Sequence, residues 1–171
     1  MSDGRLKLTP GEAVIVRRSE PGVLEVEGIW APGGKPPPKH FHPDQDELFR
    51  VITGTLTARV DGTERELRQD DTLEIPAGAV HQMWNASAKE TRASWQTRPS
   101  GRTEEWFRAI HALHEEAEAA GDERPGPLAF GAVLDEFKDV FRLAVAPQAV
   151  TKPLVSGLGA LGRARGRRAG G

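Results

Sequence analysis

A chain of 171 residues with 28% charged side chains and a net charge of −2 is long enough to bury one sizeable core. It has no global positive excess for binding nucleic acid. With no cysteine it has neither disulfides nor thiolate ligands, which leaves histidine and carboxylates as its strong metal ligands. The opening Met1 to Pro10 has no apolar signal-peptide core, and no run reaches the ~20 apolar residues of a membrane span, so the expectation is a cytoplasmic protein without one.

Glu12 to Arg18 is short, β-branched and bounded by Pro10-Gly11 and Pro21-Gly22, which predicts a first strand. In the next, Val23 to Trp30, Leu24, Val26, Gly28 and Trp30 alternate with Glu25 and Glu27, so Trp30 belongs to the inner face, as core filling or as a cavity wall. Pro36-Pro37-Pro38 stiffens the approach to His40 as extended polyproline. On an extended strand His40 and His42 share one face, about 7 Å apart at the backbone, close enough for their rings to converge on one ion. Glu47 heads the apolar run Leu48, Phe49, Val51, Ile52, and a turn that brings this strand alongside delivers its carboxylate to the same point.

Strands are further predicted over Thr55 to Val60, Glu64 to Arg68, Thr72 to Ile75, Val80 to Asn85 and Glu90 to Arg98, with Asp61-Gly62 as a two-residue hairpin turn. His81 follows the turn Pro76-Ala77-Gly78 at the head of its strand. Three imidazoles and one carboxylate make a divalent-metal site. Strand parity lines the space around it with Phe49, Val51, Met83, Trp30 and Trp95, an apolar pocket suited to an aromatic ligand rather than a sugar phosphate. Trp84 points outward, to pack under a second sheet or a partner subunit.

Gly34, five residues, His40-Phe41-His42, four residues, Glu47, six residues and Gly54 agree with the first cupin motif. Pro76-Ala77-Gly78, two residues, His81, three residues and Asn85 agree with the second, except that Asp70 stands where glycine usually opens it. That position is a turn, where aspartate can take the required backbone geometry. From Pro10 to Pro99 the chain thus resembles the cupin superfamily, and in particular small bacterial cupins such as the quercetinase-like metal-dependent dioxygenases. The resemblance implies a mainly β fold, an antiparallel jelly-roll β-barrel of six to eight strands. It also implies one divalent ion (Fe, Mn, Ni, Co, Cu or Zn) on His40, His42, Glu47 and His81, and a homodimer.

After Pro99 the period changes. Thr103 caps a helix with Glu104 and Glu105 in its first turn, a stripe of Trp106, Phe107, Ile110, Leu113, His114 and Ala117, and an end at Gly121. His111 and His114 are read as ordinary helix-face histidines. A second helix is predicted over about Leu128 to Ala144, with Val133, Leu134, Phe137, Val140 and Phe141 as its stripe. The expected organisation is a barrel over 10–99, a C-terminal α-helical hairpin over 100–147 and a Gly/Arg-rich tail over 148–171. Disorder, docking on an acidic body surface and weak attraction to anionic partners are the readings of that tail.

Three functions suit such a barrel. The first is a dioxygenase acting on a small aromatic or enolisable substrate, with Glu47 as both ligand and proton acceptor. The second is an isomerase, decarboxylase or cyclase that uses the ion as a Lewis acid. The third is a barrel that binds a small molecule without turnover.

Overall fold

The computed structural model describes residues 4–144. Among the described residues, runs of β-branched and aromatic residues, broken by glycine, proline and Asp-Gly turns, form eleven strands. These are β1 (Arg5–Thr9), β2 (Glu12–Glu20), β3 (Val23–Trp30), β4 (His40–Phe41), β5 (Asp46–Thr53), β6 (Thr55–Val60), β7 (Thr63–Arg68), β8 (Thr72–Ile75), β9 (His81–Trp84), β10 (Thr91–Arg98) and β11 (Arg142–Leu143). Helices α1 (Thr103–Ala119) and α2 (Pro127–Glu136) lie between β10 and β11.

Every strand pairing is antiparallel. One sheet runs β1-β2-β3-β10-β5-β8 and the other β11-β4-β9-β6-β7, the two layers of a jelly roll. The strands that follow one another as β5 and β6 belong to different sheets, and the chain passes between them at Gly54, whose φ is 80°. Asp61 (φ 46°) and Gly62 (φ 86°) form the expected hairpin turn, and Asp70 takes a left-handed φ of 69°, as its place in the motif requires.

Inward positions fill the barrel as alternation predicts: Leu24, Val26 and Trp30 on β3, Phe49 and Val51 on β5, Leu56 and Ala58 on β6, all buried. The Trp30 ring folds back over Gly28 so closely that a Cβ there would lie 2.3 Å from it. Trp84 points out of the barrel and is covered by the Arg59 guanidinium, 5.3 Å above its ring. The outer stripe of α1 and the segment after α2 join the barrel's own core, with Trp106, Phe107, Ile110, Phe137 and Val140 buried in the same cluster as Phe49 and Trp95.

Three features of the ends differ from expectation. β1 lies before Pro10 and pairs with β2, although its short Lys- and Arg-containing run has little strand signal. Thr103 is the first helical residue rather than the cap; its Oγ1 accepts a hydrogen bond from the buried Gln45 amide at 2.8 Å. The second helix stops at Glu136 instead of running to Ala144, because Phe137 leaves helical geometry and Arg142–Leu143 pairs with the free edge of β4.

Gly121 ends α1 with a Schellman pair of hydrogen bonds, Asp122 N–H to the Ala117 carbonyl (2.8 Å) and Gly121 N–H to that of Glu118 (3.0 Å). His114 and His111 tie α1 to β1 through the Leu8 carbonyl (3.1 Å) and the Lys7 N–H (3.1 Å). The tail expected over 148–171 lies outside the described residues. Among the described residues no helix is long and apolar enough to cross a membrane.

Candidate metal centre

The four predicted ligands come from both sheets. β4 and the residue after it supply His40 and His42, β9 supplies His81 through its pairing of His40 with His81, and β5 brings Glu47 from the facing sheet. One ring nitrogen of each histidine lies within 4.8 Å of the others. Glu47 Oε1 is 3.3 Å from His42 Nε2 and Glu47 Oε2 is 3.0 Å from His81 Nε2. His42, His81 and Glu47 are at least 95% buried, and His40 is the partly open member.

Each imidazole is fixed through its other nitrogen. Nδ1 of His40 meets the Pro38 carbonyl at 3.1 Å, that of His42 the Val140 carbonyl at 2.6 Å and that of His81 the Ala79 carbonyl at 2.9 Å. A carbonyl oxygen can only accept, so in all three rings Nδ1 carries a proton and Nε2 is the nitrogen left to meet a cation. Two of the inward atoms, His42 Nε2 and Glu47 Oε2, are buried with no hydrogen-bond partner. Leaving such groups unmet is costly, and a divalent cation would meet all of them together. The residues therefore fit a metal ion, and the three-histidine cluster can hold one.

The electrostatics have the same sense. Burial is the largest influence on Glu47 and works to raise its pKa, but His42, His81 and His40 together outweigh it and hold the carboxyl at about 2. Burial, then His81 and His42, push His40 down to about 3, against weaker pulls from the Pro38 carbonyl and Glu47. For His81 burial again acts most strongly, downward, yet contact with Glu47, the Ala79 carbonyl and Asp61 leave its pKa raised. Trp95 Nε1 donates to Glu47 Oε1 at 2.9 Å and fixes the carboxylate's rotation.

The expected lining residues Trp30, Phe49, Val51, Met83 and Trp95 are all buried. They are packed rather than arranged around an open space: Phe49 stacks on Trp95 at 5.2 Å, and Phe107 of α1 closes on Trp95 at 5.1 Å. Depressions of about 520, 190 and 460 Å³ reach Val51, His81 and Glu47 respectively, and none of them is lined by Trp30, Phe49, Met83 or Trp95.

Two groups near the centre escaped the sequence reading. Glu12 shares the inward parity of Val14 and pairs in register with Trp30, whose buried Nε1 has no hydrogen-bond partner. Burial and the Glu47 charge push Glu12 up to about 7, against a smaller downward effect of the Trp30 N–H. Its parity was readable from Glu12-Ala13-Val14. The other is the stretch Val140-Phe141, which meets His42 and His40 from 98 and 101 residues away and has no local signal for doing so.

A double-sheet jelly roll with a histidine and carboxylate cluster bridging its layers is the architecture of a metal-site barrel. Residues 26–96 match the family described as the cupin domain. In structure it is similar to KdgF from Halomonas sp., with a TM-score of 0.52 and 18% identity over 56% of this chain and 86% of that one, a likeness of fold. In sequence it is 40% identical to an oxidoreductase of Arthrobotrys oligospora over 58 residues, 33% of this chain and 23% of that protein. It is also 32% identical to the tetracenomycin polyketide synthase protein TcmJ of Streptomyces glaucescens over 96 residues, 56% of this chain and 49% of that protein. The chain thus spans between about a quarter and half of the length of these curated relatives.

Proposed function

We propose that this chain is a metal-dependent dioxygenase acting on a small aromatic or enolisable substrate, with the ion held by His40, His42, His81 and Glu47. The observation that carries the reading is the set of three Nδ1–H groups pinned to backbone carbonyls, which leaves the three Nε2 atoms and one buried carboxylate gathered about one point. Relatives in Arthrobotrys oligospora and Aspergillus clavatus named as oxidoreductases, the latter 45% identical over 51 residues, support redox chemistry over simple binding.

A divalent ion bound there supplies Lewis acidity to a substrate hydroxyl and, where redox-active, a path for electrons to dioxygen. Glu47 stays ionised, so it can accept a proton only from a hydroxyl whose own pKa has been strongly lowered. Phe49, Trp95 and Phe107 pack on one another beside Glu47, and the Trp95 N–H keeps the Glu47 carboxylate from turning away.

The match to a polyketide synthase protein, over more of this chain than the oxidoreductase match, favours a second reading: cyclase or isomerase chemistry on an enolisable polyketide without dioxygen. An oxygen electrode separates the two. Protein loaded in turn with Fe(II), Mn(II), Ni(II), Co(II), Cu(II) and Zn(II) is supplied with phenolic and enolisable substrates. Oxygen uptake that disappears in His40→Ala/His42→Ala supports the first reading; turnover without uptake supports the second; neither with any metal rejects both.

A further inference from the structure

The C-terminal segment reaches the centre from outside the two histidine motifs, through successive contacts of Val140 to Ala144. The Val140 carbonyl accepts the Nδ1–H of His42 at 2.6 Å, the shortest of the three bonds that fix the imidazoles. The Phe141 ring stacks on His40 at 4.8 Å with 23° between planes and meets His42 edge-on at 5.9 Å. Arg142 and Leu143 pair with Phe41 and His40 on β4, and the Ala144 N–H donates to the Lys39 carbonyl at 2.8 Å. Phe141 is itself anchored from behind by Trp106 of α1, stacked at 4.7 Å. His42 thus takes its Nδ1 bond from a residue 98 positions later and His40 its stacking partner from one 101 positions later, whereas the Nδ1 bonds of His40 and His81 come from their own neighbours Pro38 and Ala79.

We propose that Val140 and Phe141 are positioning residues of the metal centre, so that the C-terminal extension completes the ligand set and is not an accessory packed on the barrel. The proposal rests on the metal-binding reading given above. Its physical basis is that a histidine ligand needs both the right tautomer and the right ring plane. His42 takes both from the Val140 carbonyl; His40, the partly exposed ring, takes its tautomer from the Pro38 carbonyl and is braced in its plane by Phe141. Loss of the Phe141 ring leaves the Pro38 carbonyl alone to hold His40 and loosens the segment before β11 that carries the Val140 carbonyl. The barrel's own pairing stays untouched.

Cobalt(II) binding to the full-length, chelator-stripped protein tests this, read by calorimetric titration and by the visible ligand-field spectrum, with the melting temperature of the metal-free protein alongside. Wild type should take one Co(II). Phe141→Ala should bind it roughly tenfold or more weakly, with an altered band envelope, since loss of such outer contacts typically costs 10–100-fold. Phe141→Tyr, which keeps the ring, should restore wild-type affinity and spectrum. Ala144→Pro removes the hydrogen bond to Lys39 without touching the core and should weaken binding several-fold at an unchanged metal-free melting temperature; it decides the matter if Phe141→Ala does not fold. Wild-type affinity and spectrum in Phe141→Ala and Ala144→Pro would overturn the positioning role while leaving the metal centre intact. Wild type that binds no Co(II), or binds it unchanged in His40→Ala/His42→Ala, would instead overturn the metal-binding reading and this proposal with it.

Discussion

Glu12 points into the barrel beside Trp30, and burial followed by the Glu47 charge carries its pKa from 4.5 to about 7. In the unfolded chain its proton leaves near the ordinary value, whereas in the folded protein it stays on to about 7. Between those values the folded state holds the extra proton, so stability falls as pH rises through the window and the full penalty is present above pH 7. The size is about 3 kcal/mol. Glu12→Gln should therefore stabilise the metal-free protein by about that amount at pH 8 and by much less at pH 5, as measured by urea denaturation. An equal gain at both pH values would show that Glu12 is ionised throughout. The effect applies to chelated protein, because a cation near Glu47 would favour the ionised form.

The passage from β5 to β6 is where the chain changes sheets, and it turns on Gly54. A Cβ there would lie 2.6 Å from Thr91 Oγ1 and 2.8 Å from the Glu90 carbonyl, at a φ of 80° that side chains rarely take. Thr91 Oγ1 is already committed, donating to the Thr55 carbonyl at 2.7 Å and accepting from the Thr55 N–H at 3.1 Å, so it cannot swing aside without loss. Gly54→Ala should cost about 3 kcal/mol and lower the melting temperature by roughly 10 °C. A melting temperature within two or three degrees of wild type would mean that the turn can relax.

Strands β3, β6 and β8 were legible from the sequence to the residue, because alternation and turn chemistry act over a few neighbours, whereas the change of sheet at Gly54 was not. The four candidate ligands were legible for the same reason, since strand parity alone puts His40 with His42 and Glu47 with Phe49. What the sequence could not show depends on distant partners. Arg142–Leu143 reads as helix until the free edge of β4 is available to it. Glu12 reads as an ordinary strand glutamate until Trp30 and Glu47 enclose it. Phe107 and Phe141 read as helix stripe, yet they fill the space in which an open pocket was expected.

At the scale of the molecule the centre joins the two sheets, with three imidazoles from one layer and a carboxylate from the other. An ion there would therefore cross-link the fold, and its affinity and the protein's stability would respond to pH together. A histidine near the ordinary ~6.5 would make metal binding fail below neutrality, but the rings do not act alike. His40, held down to about 3, is already neutral across the working range and has no proton to give up. His81 is raised by its contact with Glu47, so His81 is the ring whose proton a metal would have to displace.

Binding should accordingly strengthen as pH rises from about 6 to 8, across and beyond the ordinary histidine range, with about one proton released per ion at the acid end. Calorimetric titration of Zn(II) in buffers of different ionisation enthalpy measures that release directly. Glu47→Gln removes the charge that raises His81; affinity should fall at every pH, and the steep part of its pH dependence should move to lower pH. Affinity that is level between pH 6 and 8, with no proton release, would mean that His81 is neutral before the ion arrives and that Glu47 does not hold its proton. The same experiment run with the thermal midpoint as readout should show metal stabilising the protein more at pH 8 than at pH 6, because a ligand can stabilise the fold only to the extent that it binds.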